Sequence, residues 1–370
     1  MAVNSNPPFR ADQVGSLLRP AELAEARLKL RAGELSAEQY GTIRDKCIRE
    51  VVARQEAVGL KGITDGEYSR DWWHIDFLER LDGVKAVLEK PLIGFQGSDE
   101  QPPILHVTGK VDRTNPIFTE YFKFLKSVVK QTPKITIPAP AMLYHRGGRT
   151  KVSTEVYPDL ALMWSDVSAA YKKEIDDYVA AGCKYLQIDD VSFAYLCDPK
   201  YRETFEKNGD DPNKLLRTYT NAINQAIAGR PANLTVTTHT CRGNFKNTWA
   251  ASGGYEPVAD LMLNELNVDG YFMEFDSDRA GGFEPLRFFP KNSKKHVVLG
   301  LITTKSPVLE NVDTVCRRID EAAKHVPLEN LCISTQCGFS STHHGNSLTQ
   351  DEQWRKLELV VNIARKVWNY

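Results

Sequence analysis

Short runs of apolar and β-branched residues recur along the chain, and longer stretches of helical periodicity separate them. In the run at 234–241, Leu-Thr-Val-Thr-Thr-His-Thr-Cys, alternating β-branched residues predict a buried strand that Arg242-Gly243 breaks. Comparable runs at 9–18, 62–67, 135–143, 184–189, 270–274, 295–303 and 331–336 predict seven more strands. Pro138 and Pro140 give the 135–143 strand an irregular end, because proline cannot donate to a ladder. Among the periodic stretches, one opens at Pro20, a favoured place for proline at a helix start. A capping box at Ser36–Gln39 predicts a long amphipathic helix through Ala57. Further helices are predicted over 116–130, 159–181 with Gly182 as its stop, 199–228, 254–267, 311–325 and 350–368. Residues 84–112 carry Pro, Gly and an alternating Ile-Leu-His-Val, the pattern of a β-hairpin insertion.

Eight strands alternating with helices, with no linker or low-complexity break, are the signature of an α/β fold of one particular kind. It is a single (β/α)8 TIM barrel over residues 1–370, one domain, with the hairpin near 84–112 as decoration. The residues able to do chemistry gather at the C-terminal ends of the predicted strands: Ser16, Glu67, Asp189, His239, Cys241, Glu274 and Cys337. A barrel brings those ends together over one mouth, where such folds keep their active sites.

His239 and Cys241 stand two apart on an extended segment, so both side chains share one face and can point at one metal ion. An H-x-C pair by itself is commonly accidental, because cysteine is often just a small buried hydrophobe. Glu274 and Cys337 end two further strand-like runs and complete a His/Cys/Glu/Cys set, which suits Zn2+. Each candidate also has a plainer role available. Cys337 could be a core thiol, Glu274 could pair with Arg279, and Glu67 with Arg70. Asp189-Asp190 could cap a helix, Lys305 could be a solvated loop cation, and Trp72-Trp73 could anchor a loop.

Composition narrows the class of partner. With 370 residues, 42% hydrophobic, and a formal net charge of -1, nothing argues for nucleic acid or a membrane surface. No apolar run approaches the roughly 20 residues of a membrane span, and the first residues lack the pattern of a signal peptide. Seven cysteines, an odd number without framework spacing, imply reduced thiols and a cytoplasmic protein. Those at 47, 183, 197, 316 and 332 read as packing residues. Small molecules are the expected partners, and the oligomeric state is left open.

Seven motifs together resemble the catalytic barrel of cobalamin-independent methionine synthase, in its short single-barrel bacterial branch, over nearly the whole chain. They are Val14-Gly-Ser-Leu17, Asp65-Gly-Glu67, Leu186-Gln-Ile-Asp189, His239-Thr-Cys241, Met273-Glu-Phe275, Lys305-Ser-Pro307 and Gln336-Cys-Gly338. The resemblance implies a zinc ion bound by His239, Cys241, Glu274 and Cys337, and a thiol substrate, homocysteine in the family. There the Ser16 region holds the substrate carboxylate, while Glu67 and Asp189 hold its amino group. The implied reaction moves a methyl group from a donor such as 5-methyltetrahydrofolate to the thiol, giving methionine. Two thiolates and a carboxylate leave the metal site formally anionic, and Glu274, with its hard oxygen, is the ligand expected to yield to the substrate sulfur.

Two departures from the family concern the donor. Full-length members carry an additional N-terminal barrel that helps bind polyglutamyl folate, for which this length leaves no room. The family's proton-donor histidine sits in a His-Ser-Pro motif, and Lys305 stands at that position, where it would protonate the leaving group or place an anionic part of the donor. Trp72, Trp73, Tyr144 and His145 are the expected donor-pocket residues. Two alternatives stay open: an epoxyalkane:coenzyme M type of thiol alkyltransferase, which shares the barrel and zinc site, and a non-catalytic zinc-binding protein. The acidic pair Glu67 and Asp189 favours an amino-acid thiol, since a sulfonate would want Arg or Lys there.

Overall fold

The structure, a computed structural model, describes residues 6–89, 103–244 and 247–370. Among the described residues nine strands follow in chain order: β1 (Gly62–Ile63), β2 (Asp82–Val87), β3 (Ile104–Asp112), β4 (Thr132–Pro138), β5 (Tyr185–Asp190), β6 (Thr235–Thr240), β7 (Gly270–Glu274), β8 (His296–Ile302) and β9 (Leu331–Thr335). Seven of them form a parallel sheet in the order β1-β4-β5-β6-β7-β8-β9. Helices connect most neighbours, as parallel pairing requires. The sheet curls, and the segment before β1 meets its far edge: Asp12 N–H donates to Ile333 O at 3.0 Å, and Ile333 N–H to Arg10 O at 2.9 Å. The same segment touches the β1 side, where Thr64 Oγ1 donates to Gly15 O at 2.6 Å. The arrangement is consistent with a TIM-type barrel.

The expected strand at 9–18 is reduced to a single bridge, Ala11 to Ile333. Asp12 explains this, because its carboxylate accepts from the backbone N–H groups of Phe9 at 3.1 Å and Gln13 at 2.8 Å. Such local side-chain bonds compete with a ladder. Asp12 also takes the Tyr185 hydroxyl at 2.7 Å and the Lys134 ammonium at 3.1 Å. The segment is therefore tied into the barrel interior through its side chains.

Of residues 62–67, expected as a strand and its following loop, β1 takes Gly62–Ile63 and the chain then turns, with φ of +69° at Gly66 and +62° at Glu67. β4 begins at Thr132 and stops at Pro138, after which Pro140–Leu143 coil into a 3-10 turn. The expected helical region 199–228 divides into Pro199–Lys207 and Pro212–Ala226, with Gly209 at φ +86° between them. β7 and the last helix, Gln350–Trp368, fall on the expected 270–274 and 350–368. The Ser36 capping box is present, Gln39 N–H donating to Ser36 Oγ at 3.1 Å and Ser36 N–H to Gln39 Oε1 at 2.9 Å.

β2 and β3 form a separate antiparallel pair, and residues 90–102 between them lie outside the described residues. Strands β5 and β7 are buried at every position and β4, β6 and β8 nearly so, which is why they read as near-continuous apolar or β-branched runs. Among the described residues, no helix is long and apolar enough to cross a membrane. Parallel register carries the chemistry to one level: Asp189 on β5 lies beside His239 on β6, and Glu274 ends β7 beside Gly300 of β8.

Candidate metal and substrate site

His239 and Cys241 leave the end of β6, Glu274 ends β7, and Cys337 follows β9. All four are buried, and one ligand atom from each lies within 4.8 Å of the others. The two sulfurs are 3.4 Å apart, a hydrogen-bonded pair of free cysteines and not a disulfide. That bond splits their acidities: it pulls Cys337 well below the ordinary thiol range, and with burial it pushes Cys241 up. Both ring nitrogens of His239 are buried without a hydrogen-bond partner. Glu274 is pushed up by burial and by the neighbouring charge of Asp276. Two thiols, an unsatisfied imidazole and a carboxylate, converging away from water, form a donor set that fits zinc. A buried imidazole with two idle nitrogens would otherwise cost free energy.

Glycine lets the wall close around this cluster. A Cβ on Gly338 would stand 1.9 Å from Ser16 Oγ, so Ser16 packs directly over the residue after Cys337. Ser16 Oγ there accepts the Ser340 N–H at 3.3 Å. Gly338→Ala should turn the Ser16 hydroxyl away and destabilise the fold by about 1–3 kcal/mol, the range for overpacking. A melting curve of the variant checks this; an unchanged melting temperature would mean the loop gives way freely.

The carboxylates stand beside the cluster. Glu67 is buried at a left-handed backbone position. It accepts from Arg70 twice, with Nη2 at 2.6 Å from Oε1 and Nε at 3.2 Å from Oε2, and from Thr136 Oγ1 at 3.0 Å. The plainer Glu67–Arg70 pairing is thus present, and it places the carboxylate on the cavity wall. Asp189 accepts from Gln187 Nε2 at 2.7 Å, and burial pushes its carboxyl up to about 7. Helix capping falls to its neighbour: Asp190 Oδ1 accepts from Ser192 N–H at 2.5 Å and Phe193 N–H at 3.2 Å. Glu274 does pair with Arg279, at 3.0 Å.

Ser16, Glu67, Asp189, His239, Cys241 and Cys337 line one cavity, with Trp72 and Trp73 at its side. The backbone of Trp73 donates to Ser341 O at 3.1 Å, which staples the tryptophan loop to the loop after Cys337. Lys305 is not among the lining residues; its ammonium donates to Asn244 Oδ1 at 2.8 Å, and Asn244 does line the cavity. Tyr144 and His145 also lie outside the lining. The Tyr144 hydroxyl donates to Asp210 at 2.8 Å, and the His145 ring packs against Tyr195, centroids 4.7 Å apart. Sequence reasoning missed His74, Met142, Arg146 and Tyr195 in the wall. His74 extends the Trp72-Trp73 run that was noticed. Arg146 stands two residues past Tyr144, beyond a 3-10 turn that no periodicity announces.

Residues 9–366 match the cobalamin-independent synthase catalytic domain. The chain belongs to the cobalamin-independent methionine synthase family. Two relatives from Bacillus subtilis, the uncharacterized proteins YxjH and YxjG, are 47% and 48% identical, over 98% of this chain and 95% of theirs. The 5-methyltetrahydropteroyltriglutamate–homocysteine methyltransferase of Thermotoga petrophila is 23% identical over 98% of this chain, and the chain spans only 44% of that enzyme. Among solved structures, the putative vitamin-B12-independent methionine synthase of Listeria monocytogenes superposes with a TM-score of 0.79 at 38% identity, covering 99% of both chains. A B12-independent methionine synthase from Shewanella, at 21% identity and a TM-score of 0.73, shares the fold. This member of the family thus has relatives of its own length as well as the long methyltransferases.

Proposed function

We propose that this chain is a zinc-dependent S-methyltransferase that converts homocysteine to methionine. The observation that carries the reading is the convergence of His239, Cys241, Glu274 and Cys337 beside a cavity that also presents Glu67 and Asp189. Zinc held by those four residues would supply a Lewis acid that lowers the pKa of an alkyl thiol, about 8.5 when free and so little ionised at neutral pH, and the proton would pass to solvent.

The chain's own groups orient the substrate. Arg70 largely balances Glu67, so Asp189 is the carboxyl left to meet the substrate ammonium. Ser16, which lines the cavity beside the Gly338–Ser340 loop, would receive the substrate carboxylate. The thiolate sulfur then attacks the methyl carbon, and the bond to the donor's leaving atom breaks with its electron pair. Trp72 and Trp73, which line the cavity, would meet the donor. Lys305 acts on the site through Asn244, and its charge helps keep Cys337 ionised.

One observation favours the second reading, alkyl transfer to coenzyme M: Arg146 is among the residues lining the same cavity, and a sulfonate would pair with a cation. A cavity at the mouth of the barrel is superfluous for a protein that merely stores or senses zinc. The deciding experiment supplies 5-methyltetrahydropteroyl triglutamate and either homocysteine or coenzyme M to the zinc-loaded protein. Methionine should form, and methylated coenzyme M should not. The reverse preference overturns the assignment.

A further inference from the structure

We propose that Arg279 is a positioning residue that takes up the Glu274 carboxylate when a thiol displaces it from the metal; this rests on the zinc-site reading above. The strand end at Glu274 is pinned while its carboxylate is not confined to one partner. Its N–H donates to the Tyr255 hydroxyl at 3.0 Å, and the next N–H, of Phe275, donates to Gly300 O at 3.0 Å. The backbone therefore stays put, and exchange involves the side chain.

Two donors outside the ligand set already hold that side chain. Arg242 N–H reaches Oε1 at 3.0 Å, and Arg279 Nη2 reaches Oε2 at 3.0 Å. Arg279 is itself fixed in advance: its guanidinium lies 5.1 Å from the Trp249 ring centre, 3.4 Å from Asp276, and its carbonyl accepts the Gly253 N–H at 2.9 Å. The guanidinium of Arg242, fully buried, stacks 4.5 Å from the Tyr255 ring on the same side of the cluster.

Charge counting gives this arrangement a purpose. Two thiolates and one carboxylate around a divalent ion sum to -1. A third thiolate added to that set would raise it to -2, in a buried place where unbalanced charge is costly. If Glu274 leaves the metal for Arg279, the ligand set returns to -1 while the thiol's proton passes to solvent. Arg279 already touches Glu274 and Asp276, so the total buried charge is the same either way, and the exchange moves the carboxylate's charge off the metal and onto the guanidinium.

The test uses zinc-loaded wild type, Arg279→Gln and Arg279→Lys, with homocysteine as the probe. Zinc-edge X-ray absorption counts sulfur neighbours before and after the thiol, and a chromophoric chelator reports how tightly zinc is held. Wild type should go from the two cysteine sulfurs to three. Arg279→Gln should hold zinc more tightly, because Glu274 has lost the cation that competes with the metal for it, and should bind the thiol about tenfold or more weakly, the scale of one charge-assisted hydrogen bond. Arg279→Lys should recover part of the thiol affinity. An Arg279→Gln protein with wild-type thiol affinity and sulfur count, or with weakened zinc, overturns the role of Arg279 while leaving the zinc reading intact. A wild-type count that stays at two with homocysteine bound overturns direct coordination, and this proposal with it.

Discussion

Cys241→Ser and Cys337→Ser will each leave the purified protein without its zinc and without methyl transfer. The two sulfurs face each other at 3.4 Å inside the cluster, and Cys337 is the more acidic of the pair. A serine hydroxyl does not ionise there and would offer a hard neutral oxygen where the proposed zinc would need a soft anion. Losing an outer-shell partner of a metal ligand costs roughly 10–100-fold in affinity, and losing a ligand itself should cost more. Metal content per chain after gel filtration is the measurement, with about one zinc expected for wild type from a single four-ligand site. Cys332→Ser is the control. Its thiol is also buried, but its contacts are Arg10 and Pro8 beneath the first segment, so its zinc should stay. If both ligand variants keep full occupancy, the ligand assignment is wrong.

That these four residues could be picked from the sequence has a physical reason. Each ends a strand-like run, and strand ends in a parallel sheet lie at one level, so a one-dimensional pattern determined a three-dimensional meeting point. The same logic failed where side chains, not periodicity, set the backbone. Asp12 draws two N–H groups to its carboxylate and reduces the first strand to one bridge. Beyond Pro138 a 3-10 turn changes which residues face inward, so Arg146 lines the cavity while Tyr144 turns to Asp210 and His145 to the aromatic wall. Lys305 was chosen by its motif, and motif position does not say where a long side chain ends; here it ends on Asn244. The pairing of Glu67 with Arg70 and the use of Glu67 on the cavity wall were weighed as alternatives, yet the geometry contains both.

Homocysteine should bind wild type far better than its desamino analogue, 4-mercaptobutyrate, and Asp189→Asn should remove most of the difference. The substrate ammonium must be stripped of water in the cavity, where the bidentate contact with Arg70 already offsets the charge of Glu67. Asp189 has Gln187 as its hydrogen-bond donor and no arginine bonded to it, and its carboxyl is pushed up to about 7, chiefly by burial. An ammonium beside it restores the ionised form and gains a charge-assisted hydrogen bond worth about 1.5–3 kcal/mol. That converts to roughly 10- to 150-fold in affinity, since about 1.4 kcal/mol is tenfold. The analogue brings no ammonium and leaves the buried carboxyl without a counter-charge. Asp189→Asn keeps the shape, removes the charge, and so weakens homocysteine while leaving the analogue nearly unchanged. Glu67→Gln is the less selective variant, because it strands the buried Arg70 guanidinium and should lower stability as well. Calorimetric titration of both thiols against wild type and Asp189→Asn reads the gap directly. Equal binding of the two thiols by wild type, or a preference for coenzyme M, would remove the amino-acid substrate from the reading and leave Arg146, on the same wall, as the group around which a sulfonate thiol docks.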